Sequence, residues 1–251
     1  MRYKIQILFM CFIAFSCNKK EEPIVKEPQC KLSEYSYIIA NSPYATTTKY
    51  VYNLEGKLSE IYNFNSLVFK YTYEKNLITI NEYSQNKLSN TSTILLDDFG
   101  RAIKWKARNR GYEAKYTNDG YIKEIIVFDE PDFINPSATV FFKYENQNLV
   151  EIIRATNGIA PDESTLIYTE VPNKISNIWY TDFPVAWEMG FSYSYLINIW
   201  GKRSKYLLKE WKSSYDNEEF SYELDNRGNV VKVRIKNSSS DDTFFASYRC
   251  D

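Results

Sequence analysis

Histidine is absent from this 251-residue chain, and that absence removes whole classes of chemistry. No Ser-His-Asp or Cys-His nucleophile can be assembled, and no zinc or haem site can use an imidazole ligand. Cysteine is scarce, at 4 residues, too few for a Cys-only zinc site once the N-terminal segment is set aside. There is no surplus of either charge. With 31 basic and 32 acidic residues the net charge is −1, so no global field draws the chain toward nucleic acid. A P-loop, a dinucleotide fingerprint and a Cys-x-x-Cys pair are all missing. The expectation is therefore no cofactor, no metal, no nucleic-acid partner and no recognisable enzyme.

What is present begins with an address. Arg2 and Lys4 precede an apolar run, "IQILFMCFIAF" (5–15), and "AFSC" (14–17) ends it in small residues before a cysteine. The run is shorter than the roughly 20 residues a transmembrane helix needs, and it reads as a secretory signal over 1–16. A signal cleaved elsewhere is the alternative. The sequence here resembles the lipobox of bacterial lipoproteins, although Ala14 stands where leucine is commoner. That resemblance implies Cys17 as a lipidated N-terminus carrying three acyl chains, where about two give stable anchoring. Residues 17–30 then form the lipidated Cys and a charged tether, "NKKEEPIVKEPQ", with no apolar periodicity. Lys/Glu clusters in this place resemble the export signals of Bacteroidota-type surface lipoproteins. A plain spacer on a periplasm-facing protein is the other reading. The expected partner is thus a membrane, reached through the anchor, with the outer membrane as the location.

Cys11 leaves with the signal and Cys17 goes to lipid, so Cys30 and Cys250 remain. In an oxidising compartment these two are expected to form a disulfide; the competing reading is two unrelated thiols.

Residues 31–251 read as a single β domain. The chain holds 22 Tyr and 15 Phe, residues that suit a half-buried pleated surface. One phrase keeps returning: "YVYNLEGKLSEI" (50–61), "ILLDDFGRAIKW" (94–105), "KYTNDGYIKEI" (115–125) and "YELDNRGNVVKV" (222–233). Aromatic or apolar residues two apart share one strand face. A polar turn residue follows (Asn53, Asp97, Thr117 or Asp225), with Gly56, Gly100, Gly120 or Gly228 three later. A short side chain bonding the backbone ahead, and a glycine accepting positive φ, give a type I turn with a bulge. Two shorter versions, "YTYEKNLITI" (71–80) and "FKYENQNLVEI" (142–152), lack the glycine, and Asn76 and Asn148 are expected to take the left-handed position there.

After each turn, apolar residues recur three apart: Leu58/Ile61, Leu77/Ile80, Ala102/Trp105, Ile122/Ile125, Leu149/Ile152, Ile175/Ile178 and Val230/Val233. Either a bulge shifts the register or both faces are partly covered. Repeated hairpins describe an array. This layout resembles the YD repeat of Rhs-type proteins. With the lipobox, it is similar to a Bacteroidota lipoprotein family described as having a porin-like β fold. The resemblance spans roughly residues 45–240 and implies no catalytic residues. Porin-like need not mean channel: lipid-facing strands need about 9–11 residues with an apolar outer face, whereas "FKYTYEK" and "AKYTNDG" carry charges on that face. The expected fold is all-β, with antiparallel hairpins forming one large curled, possibly nearly closed sheet.

The rhythm breaks at 179–211, where an irregular or short helical insert is expected near 180–200. Trp179, Trp187, Trp200 and Trp211 lie in this stretch. They form either an aromatic platform for a glycan or protein, or a hydrophobic plug in the curled sheet. "DEPD" (129–132) and "DNEE" (216–219) bring carboxylates together, as hydrolysis of polysaccharide would require, but also suit acidic turns. Three functions follow: a non-catalytic surface binding module for glycan or protein, a structural scaffold at the outer membrane, or a carboxylate-based polysaccharide hydrolase.

Overall fold

The computed structural model describes residues 30–38, 45–107, 109–129, 135–174, 199–214 and 216–250. These residues form sixteen antiparallel strands that close into a barrel. The first eight are β1 (Cys30–Ile38), β2 (Ala45–Tyr52), β3 (Leu58–Asn63), β4 (Ser66–Tyr73), β5 (Leu77–Ser84), β6 (Lys87–Leu96), β7 (Ala102–Ala107) and β8 (Arg110–Tyr116). They continue with β9 (Ile122–Asp129), β10 (Pro136–Glu145), β11 (Asn148–Thr156), β12 (Asp162–Pro172), β13 (Tyr206–Lys212), β14 (Asn217–Leu224), β15 (Val230–Lys236) and β16 (Asp241–Cys250). Each strand pairs with its sequence neighbours, and β1 pairs with β16 to shut the ring. The curled sheet therefore closes completely. Cys30 lies directly opposite Cys250 in that final pairing, and a disulfide joins them with Cα atoms 4.0 Å apart.

Alternation sorts the side chains. In β10, Ala138, Val140 and Phe142 are buried while Phe141 and Lys143 face out. Ile61, Ile94, Ile125, Val140, Leu207 and Val233 are fully buried and come from strands all around the ring. The interior is thus packed with apolar side chains. A membrane porin has the reverse arrangement, a polar water-filled lumen and an apolar outer band. Here the outer wall carries charge pairs placed directly across the ladder: Lys104 with Glu113 at 2.7 Å, Lys115 with Glu124 at 2.9 Å, and Lys232 with Glu223 at 2.7 Å. Lys104, Lys106 and Arg110 accordingly lie on the solvated outer face.

The three-residue spacing has a single cause at most positions. Tyr52 pairs with Leu58 but Val51 with Glu60, so Ser59 is an extra residue. The same shift inserts Ile103, Lys123, Val150 and Val231. Each is a β-bulge, which returns the residue three later to the buried face. Both members are buried in 58/61, 102/105, 122/125, 149/152 and 230/233. The pair 77/80 differs: β5 has no shift against β4, and Ile78 and Ile80 point inward by plain alternation. The pair 175/178 lies outside the described residues.

Glycine sits where the turns need it. Gly56, Gly100, Gly120 and Gly228 have φ of 77°, 76°, 91° and 75°. In the 97–101 turn, Asp97 Oδ1 accepts the N–H groups of Phe99 and Arg101, and the Gly100 N–H bonds the Asp97 carbonyl. The glycine-less turns correct the sequence expectation, since neither Asn76 nor Asn148 is among the positive-φ residues. Asn146 (49°) and Gln147 (67°) take that conformation in the β10–β11 turn, a two-residue hairpin turn with both central φ positive. Asn148 is instead buried in β11, where its side chain accepts the Tyr206 N–H at 3.0 Å.

Candidate functional site

The up-and-down order gives the barrel two unlike ends. Turns leading from even to odd strands, together with Cys30 and Cys250, form a proximal rim. Connections from odd to even strands form the distal rim.

At the proximal rim, aromatic residues that end the even strands turn inward and reach back one strand. Tyr52 donates to the Leu32 carbonyl at 2.8 Å, Tyr73 to Leu58 at 2.7 Å, Tyr116 to Ala102 at 2.7 Å, Tyr222 to Leu208 at 2.6 Å and Tyr248 to Val230 at 2.9 Å. Each acceptor stands just before a bulge on the odd strand. A bulge disrupts the local ladder, and the phenol supplies the carbonyl with a donor. Burial pushes the hydroxyls of Tyr52, Tyr73, Tyr116 and Tyr248 well above the ordinary tyrosine range, so they stay protonated donors. Sequence reading found the tyrosines but missed this role, because the step from tyrosine to acceptor varies from 14 to 20 residues.

The mouth of this rim is crossed by residues 199–205. Ala102 N–H bonds the Ile199 carbonyl, Lys202 N–H the Gly120 carbonyl, and Lys205 N–H the Gln147 carbonyl. Ser204 Oγ accepts the Leu149 N–H and contacts the Tyr168 hydroxyl at 3.0 Å. Gly201, at φ 78°, lies so close to Gly120 and Tyr116 that a Cβ there would collide with both. Trp200 is buried and meets Trp105 edge-on at 4.9 Å. Trp211 is half-buried on β13 and packs against the core. Trp200 thus plugs the barrel mouth, and Trp211 belongs to the wall. Trp179 and Trp187, with the expected insert up to 198, lie outside the described residues.

A cleft of about 530 Å³ lies beside the seam, lined by Asp225, Arg227, Val231, Ser247, Tyr248 and Cys250; two more lie at the distal rim. A cleft of about 710 Å³ is lined by Glu82, Ser89, Asn90, Asn109 and Arg110, with Ala107 and Tyr112 at its floor. It exists because β7 pairs with β6 only from Ile94 to Leu96, leaving the first half of β6 beyond the β7–β8 tip. Tyr112 stacks flat on Trp105 at 5.2 Å, which holds the floor rigid. A smaller cleft of about 280 Å³ is lined by Ser213, Ser214, Asp216, Asn217 and Ser238. Beside it, burial first and then Asp216 push the Glu218 carboxyl up to about 7. Asp129 of the 129–132 stretch pairs with Arg110 at 3.0 Å; 130–132 lie outside the described residues. No cluster of three metal-ligating side chains exists among the described residues.

No protein-family model matches the sequence, and no curated protein aligns with it. Solved structures do share the fold. A porin-like protein from Bacteroides uniformis superposes with a TM-score of 0.63 at 20% identity, covering 87% of this chain and 96% of that one. A porin-like protein from Bacteroides vulgatus gives 0.58 at 14% identity, covering 87% and 99%. The chain therefore has the closed antiparallel barrel fold of these Bacteroides porin-like proteins.

Proposed function

We propose that this chain is a lipid-tethered, non-catalytic binding module of the bacterial outer membrane, presented at the cell surface, whose distal-rim cleft takes a glycan. The observation that carries this reading is the apolar, packed interior inside a charged outer wall. Among the described residues such an interior leaves no lumen to conduct or store a ligand, so recognition falls to the outer clefts. Amide, carboxylate and guanidinium groups around a fixed aromatic floor are the chemistry that pairs with sugar hydroxyls. Anchoring rests on Cys17 and the tether to Cys30, which would place the proximal rim toward the bilayer and the cleft away from it. The alternative, an assembly scaffold, calls for a continuous uncovered apolar strip. The outward apolar residues Val51, Leu95, Phe141, Ile167 and Phe245 instead sit on strands that are not neighbours.

The test is a glycan array probed with the full mature chain and with Asn90→Ala and Arg110→Ala variants. Retention of a polysaccharide that either variant weakens supports the proposal. A folded chain that binds no glycan, yet crosslinks reproducibly to one protein, would favour the scaffold. Cys17→Ser tests the anchor separately, and incorporation of labelled palmitate into that variant would end the lipid reading.

A further inference from the structure

Both rims carry apolar residues on their apices: Leu54 and Phe99 on the proximal one, Phe64 and Ile159 on the distal one, all exposed. What separates the two ends is charge. Around the proximal mouth, cations lie over aromatic rings: Lys57 over Tyr73 at 5.4 Å, Arg101 over Tyr116 at 4.4 Å, Lys202 over Tyr121 at 5.7 Å and Lys205 over Tyr206 at 5.0 Å. Lys31 stands over Tyr52 at the seam, and Lys174 reaches the Arg227 carbonyl. Several carboxylates on this rim are engaged locally. Asp97 holds Arg101, Glu55 holds Lys57, and Asp225 closes its own turn. Glu74, Asp98, Asp119 and Glu145, the last beside Lys143, are the other carboxylates of the described proximal turns. The described distal ends gather Asp129, Asp162, Asp216, Glu218, Asp241 and Asp242 against Lys87, Arg110, Lys212 and Lys236.

We infer that the proximal rim docks flat on an anionic phospholipid headgroup layer. Leu54 and Phe99 insert at the headgroup boundary, and Lys75, Lys202 and Lys205 face lipid phosphates. The chain's own layout supplies the occupant. Residues 18–29 join Cys17 to the barrel at Cys30, on this rim, so covalent length alone keeps the rim within about 45 Å of a lipid on Cys17. A rim held within that reach samples the bilayer surface, where the field of acidic lipids acts over about one Debye length. Scattered apolar apices flanked by cations match the interfacial mode of membrane contact. The inference rests on the anchoring part of the proposed function and adds an orientation to it.

The experiment uses the mature lipidated chain with an environment-sensitive fluorophore on Leu54→Cys, Phe99→Cys or, as the distal control, Phe64→Cys. Each is reconstituted into phosphatidylglycerol-containing vesicles and into pure phosphatidylcholine vesicles. The first two probes shift to the blue on anionic vesicles alone, the shift disappears in high salt, and the Phe64 probe does not respond. A K75E/K202E/K205E variant still floats with the vesicles but loses the shift. Water-like emission at Leu54 and Phe99 in a chain that floats overturns the docking. So does a response to soluble polyglutamate but not to vesicles, which would assign the rim to an acidic protein. Failure to float would instead end the anchoring reading. Docking then rests on the Cys17→Ser chain, whose affinity for anionic vesicles in co-sedimentation K75E/K202E/K205E lowers by on the order of a hundredfold; no co-sedimentation of that chain overturns it.

Discussion

The two ends of this barrel are built by different rules. The proximal rim repeats one device: a polar turn residue, a glycine at positive φ, a bulge, and a tyrosine from the next even strand donating to the carbonyl before that bulge. The distal rim repeats nothing so complete. It turns at Phe64–Asn65 and Gln85–Asn86, both pairs at positive φ without glycine, and leaves clefts between hairpins of unequal height. Within the proximal rim, the β4–β5 junction makes the point again. β5 has no bulge against β4, and the next even strand, β6, ends in Leu96 where β4 and β8 end in tyrosine. The missing bulge and the missing tyrosine coincide because each serves the other. Without the bulge there is no disrupted carbonyl, and without that carbonyl a buried hydroxyl would lack its acceptor.

Breaking the register past the bulge should have the largest effect. Deleting Lys123 and Glu124 together removes the extra residue and one regular position of β9, so Ile125 follows Ile122 directly and, with Val127, turns to the outer face, because strand faces alternate strictly. The expected outcome is loss of the folded barrel, seen as loss of cooperative thermal unfolding. Deleting Lys87, at the distal start of β6, should leave a measurable transition.

At the seam between β1 and β16 no chain segment links the two strands, and a disulfide joins them. Cys30→Ser with Cys250→Ser should cost up to about 5 kcal/mol on the chain-entropy account for a loop of this length. Denaturant titration under non-reducing conditions would measure it, and identical midpoints for the two proteins would refute it.

Tyr116→Phe keeps the ring and removes only the donor, leaving the buried Ala102 carbonyl without it. The expected loss is about 1–3 kcal/mol. Tyr62→Phe is the contrast. Its hydroxyl meets the Glu60 carboxylate on an exposed face, so the expected change is within about 0.5 kcal/mol. Equal losses would mean the tyrosines act through packing alone.

At Gly120 the conformation, not the space, sets the cost, since nothing lies nearer than 3.8 Å to a built Cβ. Gly120→Val should cost about 1–2 kcal/mol or more and Gly120→Asn distinctly less. Melting temperatures compare them directly.

The smallest effect belongs to the distal rim. Glu218 has its carboxyl raised to about 7 by burial and by Asp216, so the folded chain holds a proton that the unfolded chain releases nearer its ordinary value. That contribution is complete below the ordinary glutamate range and is lost as pH climbs through about 7. Glu218→Gln should flatten this slope and stabilise the chain at pH 8 by on the order of 1 kcal/mol, after discounting for the carboxyl's partial exposure. Proteins unfolding in parallel from pH 5 to 8 would count against it.

Much of the proximal rim was legible because its instructions are local. A turn of five residues, a glycine at fixed offset and a three-residue apolar step are settled by neighbours in sequence, and repetition made a weak signal readable. The choice of left-handed residues in "YTYEKNLITI" and "FKYENQNLVEI" was misread because two-residue turns and longer turns share the same polar alphabet. Their hydrogen bonds, not their composition, decide which residue crosses to positive φ. The distal cleft left no trace in the sequence, since it follows from β7–β8 being shorter than β5–β6 across a gap that neither segment encodes.

The sequence by itself determined that this would be a hairpin array with alternating faces, because period-two burial and turn chemistry act between residues a few positions apart. Only the tertiary structure decided that the array closes and that Trp200 fills the mouth while Trp211 lines the wall. Those outcomes depend on contacts such as β1 with β16 and Ala102 with Ile199. They join residues far apart in sequence, and such contacts form only when accumulated twist and curvature bring the two ends of the sheet together.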